Sequence, residues 1–393
     1  MNCLVISDIF PNRADPNRGP YNSQQVAELA KLCQVTVVNP FPWTTLLGAP
    51  RLLGAVRSGS DGILPDVPVR HPIQWYLPVL GRATYGQTLA RCVRRACRRM
   101  SPARWDVIYA TWAHPHGHAA MELAREWNVP FAVKVRGTDV NVLTVDLPRR
   151  ARTEKVMRAA DAVVAVSRPL AQSVEALGAP PPRIHLLHNG INAERFLPMP
   201  QEEARRRLGL EARARWIVFV GNLVPVKGLD VLLEAVAARR DDSLRVALVG
   251  SGPLRNSLAA QAERLGLGGR VLLAGGRPHD EIPVWLNAAD VVCLSSRNEG
   301  CPNVVIEAMA CGRPVVATRV GAVPDLLTDQ SGVIVEPESA GALSDGLRQA
   351  LARTWDAEAI RRAALAMDWA SNARALHGIL THIVDERRRM TQV

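Results

Sequence analysis

Two carboxylates beside a predicted helix start carry the most informative chemistry in the chain. Pro302 suits a first helical position and Gly312 a stop, so a helix is predicted over residues 302–311, with Glu299 before it and Glu307 inside it. The first N–H groups of a helix can bind an anion or sugar hydroxyls. Carboxylates accept hydrogen bonds from hydroxyls but repel a bare phosphate, so the combination fits a sugar joined to a diphosphate. The alternative is an amphipathic helix with two incidental acids.

A glycine-bounded loop, residues 221–228, follows a predicted strand and contributes a candidate cation. Lys227 could stabilise the negative charge that grows on a departing diphosphate. Gly221 and Gly228 permit close approach of the backbone. Asn222 can donate hydrogen bonds but carries no charge. The alternative for Lys227 is a solvated surface lysine.

Three histidines at alternate positions raise the question of a metal site: His114, His116 and His118. Alternation suits one face of a strand. Pro115 and Gly117, however, predict a loop that enters a helix, and a loop does not place the three rings on one face. The sequence therefore favours a loop over a metal site.

Short apolar runs alternate with helical stretches along the whole chain. The first series has strands 4–6, 35–38, 107–109, 131–135 and 162–166, with helices 23–32, 119–127 and 169–177. The second series has strands 216–220, 245–249, 271–274, 291–294, 315–317 and 332–335. This rhythm predicts an α/β protein with two doubly wound parallel sheets. Ligands bind beyond the carboxyl ends of such strands, so the loops 221–228, 275–279 and 295–303 should share one rim, facing a cleft between the domains.

The charge of the chain is concentrated in its first half. Residues 1–190 hold 23 Lys and Arg against 13 Asp and Glu, which leaves 25 against 24 for the rest. Such a bias predicts an anionic partner. No nucleic-acid module accompanies it, so nucleic acid is not expected.

The seven cysteines form an odd, scattered set without CxxC spacing, which is typical of reduced thiols. The first strand carries no basic region or cleavage site of a signal peptide, and no apolar run reaches the roughly 18 residues of a spanning helix. We expect a cytoplasmic protein, with a peripheral position on the inner face of the membrane as an option.

Several motifs occur together in an order that resembles one family. The span from Glu299 to Glu307, followed by Ala-Met-Ala-Cys-Gly-Arg-Pro, resembles the signature of the retaining GT-B glycosyltransferases of family 4. The loop 221–228 resembles that family's phosphate loop, and residues 188–192 its inter-domain turn. The resemblance implies a GT-B fold of two Rossmann-like domains. Its parts would be an acceptor domain (1–190), a nucleotide-sugar domain (191–367) and a C-terminal helix crossing back to the first domain (368–393).

The resemblance also implies roles for residues at matching positions. Glu299 and the N–H groups of Asn303 and Val304 would bind the transferred sugar, and Glu307 the ribose. The catalytic set would be Lys227, Glu299 and His114. The donor set would be Gly19, Gly221, Asn222, Lys227, Arg277, Glu299, Asn303, Val304 and Glu307, and the acceptor set His114, Arg136 and Asp139. For Gly19 an ordinary strand-to-helix loop, and for Asp139 a structural turn, are equally open alternatives.

One position departs from the family pattern, because Asn222 stands where the family usually has Arg. The resemblance still implies a retaining, metal-independent glycosyltransferase without a cofactor. It would move a sugar from a nucleotide-sugar donor to a glycan or lipid-linked acceptor in surface or exopolysaccharide biosynthesis. The alternatives are a catalytically silent glycan-binding or partner subunit, which Asn222 keeps open, and a nucleotide-sugar epimerase.

An arginine-rich helical stretch could contact an anionic membrane surface, where a lipid-linked acceptor would be presented. Aromatic and aliphatic residues lie upstream of it, between positions 43 and 80. The alternative is a solvated helix packed on its own domain. The arginines are Arg91, Arg94, Arg95, Arg98 and Arg99.

Overall fold

The computed structural model describes residues 1–12, 15, 18–48, 64, 66–77, 84–98, 100, 104–239 and 241–391. The chain divides into two compact units. Unit 1 comprises Met1–Asn189 and Trp369–Val393, and unit 2 comprises Gly190–Asp368. The C-terminal helix therefore belongs to the same unit as the N-terminal half of the chain.

Unit 1 is built on a parallel sheet whose strands are covered by helices. Its strands are β1 (Asn2–Ile6), β2 (Gln34–Val38), β3 (Phe41–Pro42), β4 (Val69–Arg70), β5 (Ile73–Gln74), β6 (Val107–Ala110), β7 (Phe131–Val135), β8 (Ala162–Ala165) and β9 (Ile184–Leu186). Its helices are α1 (Pro20–Ala30), α2 (Trp43–Gly48), α3 (Tyr85–Cys97), α4 (His118–Trp127), α5 (Leu147–Ala159), α6 (Arg168–Ala176) and the C-terminal helix Trp369–Thr391. Strand order is β4-β2-β1-β6-β7-β8-β9, with β3 paired to β5 in a separate ribbon.

Unit 2 repeats the architecture with a six-stranded parallel sheet. Its strands are β10 (Arg215–Val220), β11 (Leu244–Val249), β12 (Val271–Gly275), β13 (Val291–Leu294), β14 (Val315–Thr318) and β15 (Gly332–Val335). Its helices are α7 (Gln201–Leu208), α8 (Leu229–Ala238), α9 (Arg255–Arg264), α10 (Ile282–Ala288), α11 (Asn303–Ala310), α12 (Val323–Leu326), α13 (Ala340–Ala352) and α14 (Ala357–Leu365). Strand order is β12-β11-β10-β13-β14-β15, the arrangement of a Rossmann sheet.

Strand order determines where a ligand can bind in each sheet. In unit 1 the order reverses between β1 and β6, and in unit 2 between β10 and β13. The loops that leave two such strands diverge to opposite faces and leave a crevice at their carboxyl ends. The loops to inspect are therefore those after β1 and β6 in unit 1, and those after β10 and β13 in unit 2.

Both sheets have apolar side chains on their two faces. In unit 2 alternate residues of β10 pack into different clusters: Trp216 and Val218 into one, Ile217 and Phe219 into the other. Continuous apolar runs are what a strand covered on both faces requires. The predicted α/β class with two doubly wound sheets is confirmed.

A buried polar network fastens the C-terminal helix to unit 1. Fully buried Lys134 donates to Gln25 Oε1 (3.2 Å) and Asn189 Oδ1 (3.1 Å). Gln25 also accepts from Tyr109 and donates to Asn372 at the start of the C-terminal helix. Charged groups inside a protein are tolerated when hydrogen bonds satisfy them in this way. The two points where the chain leaves and re-enters unit 1 are thus held by one cluster.

Candidate functional site

The loops that flank the reversal of strand order in unit 2 bring Lys227 and Glu299 together. Lys227 ends a short turn, Pro225–Lys227, after β10, and Glu299 lies in the loop between β13 and α11. The Lys227 ammonium is 2.6 Å from Glu299 Oε1, and Ser296 Oγ donates to the same oxygen at 2.6 Å. In the described part of the chain Glu299 Oε2 accepts no hydrogen bond, so this oxygen is available for a hydroxyl.

Two glycines fix this arrangement through close backbone contacts. Gly228 has φ 59°, and a Cβ there would lie 2.1 Å from the carbonyl oxygen of Ser295. Gly321 has φ 53°, and its Cβ would lie 2.4 Å from the carbonyl oxygen of Glu299. Residues with a side chain rarely adopt such a positive φ, and a Cβ atom at either position would clash with the neighbouring carbonyl oxygen. The conformation of the loops that carry Lys227 and Glu299 therefore requires glycine at both positions.

The helix after Glu299 differs from its prediction by one residue at each end. It runs from Asn303 to Ala310. Pro302 before it has an extended backbone (ψ 103°), and the backbone of Cys311 after it is no longer α-helical (ψ 3°). Asn303 and Val304 are then its first two residues, where backbone N–H groups have no carbonyl partner within the helix. Glu307 lies a little over one turn further along. The predicted sugar-binding N–H groups are therefore at a real helix start.

Glu307 has a partner that the sequence reasoning missed. His279 Nε2 is 3.4 Å from Glu307 Oε1, while its Nδ1 meets Arg195 Nη1 at 2.6 Å. Because arginine only donates, Nδ1 must accept, and the proton of a neutral ring then lies on Nε2, towards Glu307. The Phe196 ring packs edge-on against His279, with centroids 5.6 Å apart. The sequence does contain a signal for this contact. Loops 275–279 and 295–303 are predicted to lie on the same rim of the sheet, and His279 is the last residue of the first loop.

The remaining predicted donor residues have other neighbours. Arg277 donates to the Ala274 carbonyl and lies 5.7 Å over the Trp285 ring, so its part in donor binding stays a prediction. Gly221 donates its N–H to Val249 at 2.9 Å, and the Asn222 carbonyl accepts from Val224.

Gly19, also predicted for the donor, lies in unit 1 and precedes α1 with φ 61°. A Cβ there would be 2.5 Å from the Ile9 carbonyl oxygen. This close approach gives Gly19 a packing reason of its own. Arg18 and Ile9 both line the cavity described next, so Gly19 supports one of its walls.

A cavity of about 570 Å³ lies at the reversal of strand order in unit 1. Its wall includes residues that follow β1 and β6. The lining residues are Asp8, Ile9, Arg18, Tyr76, Tyr85, Trp112, His114, Pro115, Asp139, Leu143, Arg149 and Thr153. The cavity therefore contains His114 and Asp139, two of the three predicted acceptor residues. A volume of this size suits a small molecule or one or two sugar rings.

His114 is neutral in this cavity. Burial, followed by the charges of His118, Arg152 and Arg149, lowers its pKa from 6.5 to about 3. Its Nε2 atom is buried, and among the described residues it has no hydrogen-bond partner. A neutral imidazole with an unused nitrogen can bond a hydroxyl as donor or acceptor.

Asp139 is almost wholly used by the backbone. Its carboxylate accepts from the N–H groups of Ala113, Arg136 and Gly137, each at 3.0 Å. Burial raises its pKa, although these hydrogen bonds oppose the shift. Asp139 thus holds the loop that carries His114, which is the structural turn left open by the sequence. Direct contact of Asp139 with an acceptor stays a prediction.

Arg136 contacts residues around α1 and does not line the cavity. Its guanidinium donates to Asn22 Oδ1 and lies 5.3 Å over the Tyr21 ring. The other two histidines of the alternating set have separate partners. His116 is 3.2 Å from Asp8, and His118 is 3.1 Å from Glu122. In the described part of the chain no group of three or more His, Cys, Asp or Glu side chains is placed to hold a metal ion.

Comparison with known proteins identifies the family. The model of glycosyltransferase family 4 matches residues 21–195, and that of glycosyl transferases group 1 matches residues 200–374. The Bacillus subtilis (strain 168) protein named as the teichuronic acid biosynthesis glycosyltransferase TuaC is 30% identical, over 96% of this chain and 97% of its own. The chain belongs to the family 4 glycosyltransferases. It is therefore an enzyme that transfers glycosyl groups.

Other family relatives and solved structures agree. A D-inositol 3-phosphate glycosyltransferase of Thermobispora bispora is 31% identical, over 84% of this chain and 83% of its own. The crystal structure of Anabaena Alr3699/HepE in complex with UDP matches with a TM-score of 0.75 at 21% identity, over 97% of this chain and 100% of that one. Sucrose-phosphate synthase from Thermosynechococcus elongatus matches with a TM-score of 0.73 at 19% identity, over the whole of both chains. These two likenesses concern the fold, which is the predicted GT-B fold.

The predicted membrane-facing residues are only partly described. Helix α3 buries Leu89, Cys92 and Val93, so it packs on unit 1 through its apolar face. Arg94 makes a two-pronged ion pair with Glu126. The exposed arginines are Arg91, Arg95 and Arg98. Arg99 and positions 49–63, 65 and 78–80 of the upstream segment lie outside the described residues. No helix in the described part of the chain is long and apolar enough to cross a membrane.

Proposed function

We propose that this glycosyltransferase moves a sugar from a nucleotide-sugar donor to a hydroxyl of a glycan or lipid-linked acceptor during surface polysaccharide assembly. Transfer retains the configuration of the anomeric carbon and needs no metal ion. The observation that carries the proposal is the 2.6 Å pair of Lys227 and Glu299 beside the start of α11. A cation, a carboxylate and the N–H groups of a helix start are groups that suit a sugar diphosphate.

The donor half of the reaction follows from these groups. Lys227 neutralises the charge that develops on the departing diphosphate. The bound diphosphate also weakens the attraction between Lys227 and Glu299. Glu299 then accepts hydrogen bonds from sugar hydroxyls, and Glu307 from the ribose, with His279 holding the Glu307 carboxylate. Because Lys227 and the α11 start supply positive charge, a divalent cation is not required for this role. Asn222 contributes hydrogen bonds without charge.

The acceptor half is assigned to the unit 1 cavity. His114 bonds the acceptor hydroxyl through its neutral ring, and the departing phosphate helps to remove the proton. The name of the Bacillus subtilis relative supports a polysaccharide product, and the solved complexes of HepE with UDP and with UDP-glucose support a uridine nucleotide. The exposed arginines of α3 support a peripheral position at an anionic membrane, because clustered arginines there are attracted to the surface.

The test is a transfer assay with EDTA-treated protein and UDP-glucose, UDP-galactose and UDP-N-acetylglucosamine, extended to GDP-, ADP- and dTDP-sugars. The acceptor is a membrane extract of the source cells, and the product linkage is assigned by NMR. We expect one donor to give an α-linked product from an α-linked donor, at an EDTA-insensitive rate. An inverted linkage, or a rate restored only by a divalent cation, would contradict the proposed mechanism.

A further inference from the structure

The unit 1 cavity combines flat apolar rings with cations. Tyr76, Tyr85 and Trp112 line it together with Arg18 and Arg149. Aromatic faces pack well against the C–H faces of sugar rings, and arginine is the residue best suited to bind phosphate or carboxylate. The lining therefore suits a ligand that carries both a ring and a negative charge.

The two acids of the cavity have hydrogen-bond partners of their own. Asp8 is paired with His116, and Asp139 is held by three backbone N–H groups. Within the described residues, Arg18 donates only from its Nε, to the Asp8 carbonyl oxygen, and Arg149 Nε lies 3.5 Å from the carboxylate of exposed Asp146. In the described structure each guanidinium thus keeps terminal N–H groups that an anion could accept from. Burial first, and then the charges of His118, Arg152 and Arg149, lower the pKa of His114.

The segments that form the cavity wall also expose apolar side chains. One wall segment contributes Leu143 and Arg149 to the cavity lining. The same segment exposes three apolar side chains to solvent: Val142 (54%), Val145 (79%) and Leu147 (74%). Tyr76 lines the cavity between Trp75 and Leu77, which are 66% and 68% exposed. Scattered exposed apolar residues are ordinary, but five on the two wall segments of one cavity indicate an apolar partner.

Helix α5, which begins at Leu147, adds further positive charge next to this surface. Its cations outnumber its single acid, Glu154, which pairs with two of them. Exposed apolar residues next to a basic helix are typical of contact with an anionic lipid. The cations are Arg149, Arg150, Arg152, Lys155 and Arg158.

We infer that the acceptor is a sugar phosphate joined to a lipid chain. The sugar ring packs on the aromatic wall, the phosphate pairs with Arg149 and Arg18, and the chain contacts Val145 and Leu147. This inference rests on the proposed function, which assigns the cavity to the acceptor. A free sugar phosphate shares the phosphate chemistry but not the lipid contact, so the two sources can be separated by experiment.

The experiment is calorimetric titration of the full chain, saturated with the nucleotide that stabilises it. The probes are glucose, galactose, mannose and N-acetylglucosamine, each free, as the 1-phosphate and as the octyl 1-phosphate diester. For one sugar we expect the phosphate to lower Kd by about tenfold, as a charge-assisted hydrogen bond does. We expect the octyl chain to lower it by about a further tenfold through apolar burial.

Matched variants separate the two contributions. Arg149→Ala should remove the gain from phosphate, whereas Arg150→Ala, which removes the same charge one residue away from the lining, should keep it. The double variant Val145→Ser, Leu147→Ser should lose only the octyl gain, and Leu272→Ser, an exposed apolar residue of unit 2, should lose nothing.

Each other result overturns a stated part of the inference. Equal affinity for free and phosphorylated sugars, or equal losses in Arg149→Ala and Arg150→Ala, would overturn the anionic acceptor. Recognition of phosphate without an octyl gain would assign a soluble sugar phosphate instead of a lipid. Failure of all twelve probes while a nucleotide still binds would refute the inference and leave the donor site intact. Failure of every nucleotide would refute the proposed function itself.

Discussion

The two candidate sites occupy equivalent positions in their sheets but are built in different ways. In unit 2, Lys227 and Glu299 are set by backbone contacts that only glycine permits, and charged groups meet directly. In unit 1, the cavity is lined by separate segments, with aromatic rings and a neutral histidine. A diphosphate is the same in every donor, so a fixed backbone suits it. An acceptor is recognised by side chains on loops, which can change without disturbing the sheet.

The largest expected effect is on catalysis in unit 2. Lys227→Ala should lower kcat/KM by about 10²–10³-fold, since one group that stabilises developing charge is worth that much. Glu299→Ala should also abolish most transfer. Both variants should keep the wild-type circular dichroism spectrum, because neither side chain belongs to the core. Arg264→Ala, an exposed cation on α9, is the control. Wild-type transfer rates in both Lys227→Ala and Glu299→Ala would contradict the assignment of these residues to the donor site.

The next effect tests whether the backbone of unit 2 is as constrained as its glycines indicate. Gly228→Ala should lower the free energy of unfolding by about 3 kcal/mol, through a positive φ and a clash with the Ser295 carbonyl. Gly209→Ala shares the positive φ (66°), but in the described structure its Cβ would have no heavy atom within 4 Å. It should cost about 1–2 kcal/mol. Urea unfolding measures both, and equal losses would show that the clash is relieved at no cost.

Lowering the pH should destabilise unit 1 through His114, because acid protonates this buried neutral ring. The folded state holds its pKa at about 3, against 6.5 for the unfolded chain. Stability from this residue is therefore complete above pH 6.5 and is lost as pH falls towards 3. Between pH 7 and pH 5 the wild type should lose about 1–2 kcal/mol more than His114→Gln. Urea titrations at both pH values test this, and parallel losses would mean that His114 is not held neutral.

The smallest effect concerns the His279 contact with Glu307. His279→Ala should raise the KM of the donor by about three- to tenfold with kcat nearly unchanged, because one hydrogen bond that positions a binding group is lost. The preference for a ribose over a 2′-deoxyribose donor should also weaken. His185→Ala, in unit 1, is the control. A fall in kcat with KM unchanged would assign His279 to the chemical step instead.

Much of the fold could be predicted because buried parallel strands are continuous apolar runs. The predicted strands 131–135, 291–294 and 332–335 have the observed bounds. The sequence reasoning missed β3, β4, β5 and β9, which have only two or three residues each. Such short strands carry no run of apolar residues. They form because neighbouring strands offer them hydrogen bonds, which is a tertiary effect.

The grouping of residues at the candidate site was predictable where they belong to one local pattern. Glu299, Asn303 and Glu307 are brought together by a single loop and helix, so spacing was enough. The contact of His279 with Glu307 joins residues 28 positions apart, and the aromatic walls Tyr76 and Trp112 come from different segments. Side-chain partners of that kind depend on packing between elements, which periodicity does not encode.

The measurement that tests the central claim most directly is thermal unfolding with UDP, GDP, ADP and dTDP, without and with EDTA, for wild type and Lys227→Ala. Binding raises the melting temperature in proportion to the logarithm of ligand concentration. We predict that one nucleotide stabilises the wild type, that EDTA does not remove the effect, and that Lys227→Ala does. Stabilisation that is unchanged in Lys227→Ala, or that EDTA abolishes, would contradict a metal-independent diphosphate site at Lys227.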